Sequence, residues 1–212
     1  MSKCLVTGGA GFIGSTLVDE LIKKGHQAIV IDNLSTGKKD NLNKDAKFIE
    51  ADIRDFEKIL PYFKGVDFVF HLAALVSVQT SIDNPLHNNA VNLSGTLNVL
   101  EAARLSKVKK LVFSSSAAIY GDTETYPTKE TDESKPVSPY AVQKLAGEKY
   151  CELYSKIFNL PTVNLRYFNI FGDRMALNGG YALVLGIFAN QKLNKEVLTI
   201  TSDGEQRRDF IS

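Results

Sequence analysis

The sequence predicts an α/β fold: a doubly wound parallel sheet with helices on both faces. Three observations carry that prediction. Short β-rich runs alternate with amphipathic stretches along the chain. Several of those runs are almost wholly apolar, as strands covered on both faces require. A glycine-rich turn, "TGGAGFIG", stands directly between the first strand and the first helix. A chain of 212 residues suits one large domain, or one domain with part of another.

The elements follow in order. "KCLVT" (3–7) is the first strand, and the glycine turn opens a helix over 12–24. "QAIVI" (27–31) and "AKFIE" (46–50) are strands, followed by a helix at 55–63. "VDFVF" (66–70) precedes a long helix at 86–105, and "KKLVFSS" (109–115) is the fifth strand. Residues 121–138, rich in Thr, Asp, Glu, Lys and Pro, form a long irregular region, of the length that usually carries function. Ser138 as N-cap and Pro139 at the first helical position open a helix over 140–158. In it Val142, Leu145, Ala146, Leu153, Tyr154 and Ile157 follow helical spacing. "PTVNLRY" (161–167) is a strand, 180–191 a helix and "VLTI" (197–200) a last strand.

Composition excludes several classes of function. Apolar residues make up 44% and charged residues 23%, the balance of an ordinary globular protein. A net charge of +1 gives no field toward nucleic acid or an acidic membrane, and the Lys-Lys pairs are scattered. Cys4 and Cys151 are too few for a disulfide framework or a metal cluster and read as buried free thiols. No secretory signal pattern opens the chain, and no apolar run is long enough to span a bilayer. A cytoplasmic enzyme or binding protein is expected.

The glycine turn fits a Rossmann-like nucleotide site in two ways. Gly9 to Gly14 match G-x-G-x-x-G, and Gly8, Gly11 and Gly14 match G-x-x-G-x-x-G, with Phe12 and Ile13 inside the turn. Positions without side chains let a pyrophosphate approach backbone N–H groups at a helix N-terminus, although the same glycines could serve strand–helix packing alone. Asp32 ends the second strand, where a carboxylate can accept hydrogen bonds from a ribose diol. It favours NAD, because it would repel a 2′-phosphate; Lys38 and Lys39 read as exposed loop charges. "ADIRD" (51–55) and "HLAAL" (71–75) lie at carboxyl ends of strands, where open α/β sheets bind ligands. His71 has no company of metal-ligand spacing, so it reads as a packed strand-end histidine and no metal is expected.

Tyr140 and Lys144 are four residues apart on one helix face, a phenol beside an ammonium. With "TGGAGFIGS", "DNLSTG", "ADIRD", "HLAA", "FSSSAAIYG", "SPYAVQK", "LRYFNIFG" and "SDGEQRRDFIS" in this order, the sequence resembles the extended short-chain dehydrogenase/reductase family, specifically nucleotide-sugar 4-epimerases of the UDP-galactose/UDP-glucose type. The resemblance implies a cofactor held by Gly8, Gly11, Phe12, Ile13, Gly14 and Asp32. It also implies contacts from Asn33, Ser35, Thr36, Gly37, Asp52, Ile53, Leu72, Ala73 and Ala74, and from Asn92, Ser114, Tyr140, Lys144 and Tyr167. Tyr140 would be the general base, its phenolate favoured by Lys144, with Ser116 on the reacting sugar hydroxyl and Asn169 on the substrate diphosphate or adjoining sugar. An exposed or helix-capping amide is the alternative for Asn92, and a strand position for Tyr167.

Similar dehydratases place an Asp-Glu pair after the active serine, and UDP-xylose-forming decarboxylases a glutamate at the second position. Ala117 and Ala118 stand there in this chain. Neither can move a proton, so the expected reaction is oxidation and re-reduction at C4 of a UDP-sugar, with NAD retained. A dehydrogenase or reductase that releases reduced cofactor, or a dinucleotide-binding module without turnover, are the alternatives. The family's dimers would pair helices 86–105 and 140–158, burying Leu86, Ala90, Leu93, Leu97 and Leu100. Residues 1–170 read as the NAD-binding domain and 171–212 as the truncated start of a substrate-binding region, most of the C-terminal lobe being expected to be missing. Val76 stands where some relatives carry a lysine.

Overall fold

Apolar residues alternating across the strands give each side of a parallel sheet its own core. In the computed structural model, which describes residues 1–123, 126–177, 184–200 and 203–212, that sheet has six strands. They are β1 (Lys3–Thr7), β2 (Gln27–Asp32), β3 (Lys47–Glu50), β4 (Phe68–His71), β5 (Lys110–Ser116) and β6 (Thr162–Tyr167), in the order β3-β2-β1-β4-β5-β6, every pair parallel. The order reverses between β1 and β4, which leaves a crevice beyond their carboxyl ends. Cys4 and Val6 of β1 face one side, with Val18 and Leu21 of helix α1 (Phe12–Lys23). Leu5 faces the other side, with Val99 and Leu100 of α5 (Gly95–Leu105) and Cys151 of α6 (Pro139–Phe158). Both cysteines are buried free thiols, as expected.

The remaining elements adjust the expected ones. The 55–63 helix is α-helical only over Phe56–Ile59 (α2) and tightens to a 3₁₀ turn over Leu60–Phe63, where Pro61 has no N–H to continue the ladder. Two short helices precede α5: α3 (Val78–Asp83), which the sequence reading lacked, and α4 (Pro85–Asn89), with a π-helical turn over Ala90–Ser94 joining α4 to α5. Asn84 and Pro85 separate α3 from α4, and the Asn84 side chain caps the latter. Helix α7 spans Val184–Leu193, so the expected start at 180 lies outside the described residues. "VLTI" at 197–200 is not a strand: Gln191 makes two side-chain hydrogen bonds to Thr199, taking the place of a strand partner. A two-stranded pair instead joins β7 (Asn169–Ile170) to β8 (Phe210–Ile211). Among the described residues no helix is long and apolar enough to cross a membrane, and no group of three metal-ligating side chains forms.

Helix α6 turns an unexpected face inward. Ser138 caps it through the Ala141 N–H and Pro139 opens it, as read from the sequence. Its buried residues, however, are Tyr140, Ala141, Gln143, Lys144, Gly147, Glu148 and Cys151. Val142, Leu153 and Ile157 of the apolar stripe are exposed. Of the apolar positions on the 86–105 segment, Leu100 belongs to the core and Leu86 is 84% exposed.

At the strand-order reversal a polar chain crosses the core. Thr96 Oγ1 donates to the Asn92 carbonyl at 2.6 Å, so it accepts from His71 Nε2–H at 2.9 Å. His71 Nδ1 is then the acceptor for the Thr7 hydroxyl at 2.7 Å, and Thr7 Oγ1 accepts from the Ala73 N–H. This is the packed histidine that the sequence suggested. Burial, helped by the nearby Lys144 charge, lowers its pKa from 6.5 to about 3. The folded state therefore binds fewer protons here than the unfolded state between those two values. The stability carried by neutral His71 is complete above pH 6.5 and is lost as pH falls toward about 3. Urea denaturation from pH 7 to 4 should show His71→Gln less stable than the parent at pH 7, with the gap narrowing as pH falls by up to about 1.4 kcal/mol per pH unit. A gap independent of pH would contradict this account.

Candidate active site

The glycine turn is shaped by close backbone contact. Gly8 has φ +72°, and a Cβ there would lie 2.7 Å from the Ala73 nitrogen. A Cβ on Gly14 would meet the Gly8 carbonyl oxygen, a backbone atom that cannot move aside. These contacts bring β1, α1 and the segment after β4 together as one cradle. Helix α1 begins at Gly11 without a side-chain cap, so the N-terminal N–H groups of Phe12, Ile13 and Gly14 face outward from a positive helix end. Such a terminus fits a pyrophosphate. Phe12 lies against Gly172.

Asp32 is nearly buried and first organises its own surroundings. Its Oδ2 accepts from Ala10 N–H at 3.0 Å and its Oδ1 from Leu34 N–H at 2.8 Å. Each oxygen keeps a second lone pair, and the residue lines the crevice. The crevice is also lined by the predicted Gly8, Asn33, Ser35, Thr36, Asp52, Ile53, Ala73 and Ala74. Gly37 packs its backbone against Ala10 and Asp32, and Leu72 packs on the α1 side of the sheet. Asn33 bridges the wall by donating to Asp52 and accepting from Ser35. Asp52 is held well below the usual carboxylate range by its two-pronged hydrogen bonds with Arg54. Ile31, Ala51, Arg54, Leu75, His87 and Val91, none of them singled out as a cofactor contact from the sequence, complete the lining. His87 and Val91 come from the helical segment after Pro85, and no motif marked them.

Asn92 is not the exposed or helix-capping amide of the alternative reading. Buried on the π-helical turn, its Oδ1 accepts from Leu75 N–H at 2.8 Å, and its Nδ2 approaches Leu75 O, Asn88 Oδ1 and Gln143 Oε1 at 2.8–3.0 Å. It ties the loop after β4 to α6.

Three further groups meet where β5 faces α6. Lys144 is buried and donates to the Ser114 carbonyl at 2.7 Å. Its Nζ lies 4.9 Å from the Phe113 ring centroid and 5.9 Å from that of Tyr140. Burial lowers its pKa to about 8, which leaves it charged at neutral pH. Tyr140 is 7% exposed, and its backbone N–H donates to Ser81 Oγ. Burial raises its pKa, opposed by the neighbouring Ser116 hydroxyl. Ser116 also accepts from the Ala118 N–H at the head of a 3₁₀ turn, Ala117–Tyr120. Tyr167 stands opposite Ser116 in register at the end of β6, its pKa raised by burial. Asn169 lies further on, its Nδ2 bonded to the Asp209 carbonyl beside β8.

The structure thus brings Ser114, Ser116, Tyr140 and Lys144 together at a strand end, with the Asp32-lined crevice along the same edge of the sheet. Comparison with known proteins agrees with that arrangement. Residues 4–212 match the NAD dependent epimerase/dehydratase family. The chain is 43% identical over 211 residues to a putative UDP-glucose 4-epimerase of Methanocaldococcus jannaschii, covering 98% of this chain and 68% of that protein. It is 38% identical to a UDP-N-acetyl-alpha-D-glucosaminuronate decarboxylase of Bacillus cytotoxicus, covering 98% of this chain and 66% of the other. The crystal structure of a UDP-glucose 4-epimerase from Thermotoga maritima with UDP-glucose superposes with a TM-score of 0.96 at 43% identity, covering 99% of this chain and 69% of that one.

The site's rigidity is testable at Asn92. Asn92→Ala leaves the buried Leu75 N–H and its carbonyl without their side-chain partner, and should cost about 2–4 kcal/mol in urea denaturation. A loss below about 0.5 kcal/mol, the level of an ordinary surface change, would show that Asn92 does not hold this loop.

Proposed function

The chain belongs to the NAD dependent epimerase/dehydratase family, and on that premise we propose that it is a nucleotide-sugar 4-epimerase that inverts C4 of a UDP-hexose through a 4-keto sugar, with NAD retained. The observation that carries the reading is the pair of alanines next to Ser116. Ala117 and Ala118 form the head of the 3₁₀ turn, so these two positions, beside a hydroxyl, a phenol and an ammonium, carry no carboxyl group. Elimination after oxidation at C4 would lack the acid and base that the resembling dehydratases place at these positions. A decarboxylase, the activity named for one relative, is the second reading; Ala118 weighs against it, since the resembling decarboxylases carry a glutamate at that position.

The roles follow from the geometry. Phe12, Ile13 and Gly14 would offer N–H groups to the pyrophosphate, and Asp32 would accept from a ribose diol. Asp52 and Ile53 would border the same nucleotide. When bound, NAD would supply reversible acceptance of hydride from the sugar and a positive charge that favours an ionised base. Ser116 would hold the sugar 4-hydroxyl in line with Tyr140, which as the phenolate would take the hydroxyl proton and, as the phenol, return it on re-reduction. Lys144, anchored by the Ser114 carbonyl, would favour the ionised Tyr140 against the burial that raises its pKa. Asn169 and Tyr167 would contact the substrate side and the cofactor. The exposed Leu86, Val142, Leu153 and Ile157 suit a face shared with a second copy of the chain.

Incubation with UDP-glucose or UDP-galactose, without added NAD, should give interconversion, measured by nucleotide-sugar chromatography. Tyr140→Phe should lower turnover by about 10²-fold or more while bound NAD, measured after denaturing release, stays at the parental level. Near-parental turnover in that variant would remove Tyr140 from the mechanism. Net accumulation of NADH by the parent would favour a dehydrogenase instead.

A further inference from the structure

One charged pair sits outside the roles assigned to the site. Glu148 is 1% exposed and lies one helical turn beyond Lys144 on the buried face of α6. Its Oε1 accepts from Ser115 Oγ at 2.5 Å and from Arg166 Nε at 3.0 Å, and its Oε2 from Arg166 Nη2 at 2.9 Å. The third guanidinium nitrogen, Nη1, donates to Tyr120 Oη at 2.7 Å and to the Glu130 carbonyl at 2.9 Å. The guanidinium also lies 5.0 Å from the Tyr120 ring centroid.

Every partner in this cluster adjoins a group of the site. Ser115 separates Ser114, whose carbonyl holds Lys144, from Ser116. Tyr120 closes the turn that Ser116 opens. Glu148 shares a helix face with Tyr140 and Lys144. Glu130 belongs to the long irregular segment before α6. One guanidinium on β6 therefore joins β5, the 3₁₀ turn, α6 and that segment. A buried ion pair is weak as a source of stability, because its desolvation cost offsets its attraction. A planar fork with fixed donor directions is well suited to setting distances between segments.

We propose that Arg166 and Glu148 are a positioning pair for proton transfer at this site, setting the spacing of Ser116 from Tyr140 and docking residues 126–138 onto the same frame. The proposal rests on the epimerase reading of the site. It acts through Ser115, Tyr120 and the Glu130 carbonyl, and the pair itself moves no proton. The charged and titratable groups facing this part of α6 are Tyr140, Lys144, Glu148, Cys151 and Glu152 on the helix, Arg166 on β6, Tyr120 of the 3₁₀ turn, and neutral His71 on β4 behind Lys144.

The test compares the parent with E148Q, R166M and their double variant, all assayed at a temperature where circular dichroism shows a folded chain. Each single variant should lose about tenfold to a hundredfold in kcat, with KM for UDP-glucose within about threefold of the parent and bound NAD retained. The double variant should lose no more than the worse single one, because one coupled unit is removed. R166K, which keeps charge but not the fork, should recover only a minor part. Parental kcat in a folded R166M, with only a lower thermal midpoint, would overturn the proposal. The second readout needs no turnover: titration of the Tyr140 phenol by ¹³Cζ NMR, with Tyr140→Phe to identify the signal, should shift in both single variants. If the parent interconverts no UDP-hexose, the epimerase reading fails while this titration still decides the pair, and an unchanged curve overturns it. If E148Q and R166M do not fold, Tyr120→Phe, which removes one Arg166 acceptor and keeps the ring, decides in the same two measurements. An unmoved kcat and titration there would overturn the proposal.

Discussion

The contact between β5 and α6 imposes the strictest constraint on this molecule. Helix α6 buries a phenol, an amide, an ammonium and a carboxylate, and buried polar groups must find partners or cost several kcal/mol. Their partners come largely from three consecutive serines. Tyr140 lies beside Ser116, Lys144 donates to the Ser114 carbonyl, and Glu148 accepts from the Ser115 hydroxyl. Gly147 lets the helix approach closely, because a Cβ there would press on the Phe113 ring. The serine run is thus a matched surface for one helix face.

The reversal of strand order between β1 and β4 creates the crevice, and polar chains hold its walls. Thr7, His71 and Thr96 join the sheet to the α5 side, and the Ala73 N–H ends the same chain. Asn92 continues it to Leu75 and, through Gln143, to α6. Asp32 does the equivalent work on the β2 side by fixing Ala10 and Leu34. The crevice and the Tyr140–Lys144 pair are consequently parts of one connected polar framework. A neutral histidine suits that framework, since a charge in the middle of the core would lack a partner.

Much of this was legible in the chain itself. Parallel strands announce themselves as apolar runs, and glycines at fixed spacing announce a close backbone approach; Gly8 and Gly14 behave as that pattern requires. The "VLTI" run misled because local β-propensity cannot show whether a neighbouring strand exists, and Gln191 takes that place. The apolar stripe of α6 misled for a related reason. Helical spacing identifies a face, but a site that must bury Tyr140 and Lys144 rotates the helix so that Tyr154 of the stripe still packs on the core while Val142, Leu153 and Ile157 are exposed. The split of 78–105 into α3, α4, a π-helical turn and α5 escaped notice, since only the packing of Asn92 reveals the extra turn.

By itself the sequence determined the sheet, the glycine turn, Asp32 at the end of β2, and the placing of Tyr140 and Lys144 on one helix face. All of these depend on spacing within a segment or between adjacent ones. The tertiary structure alone decided that Asn92 braces a loop, that burial raises the Tyr140 pKa, and that Arg166 meets Glu148, Tyr120 and Glu130 at one point. Those outcomes depend on which distant segments share a buried volume, and on the loss of water around them. Periodicity along a chain carries neither quantity.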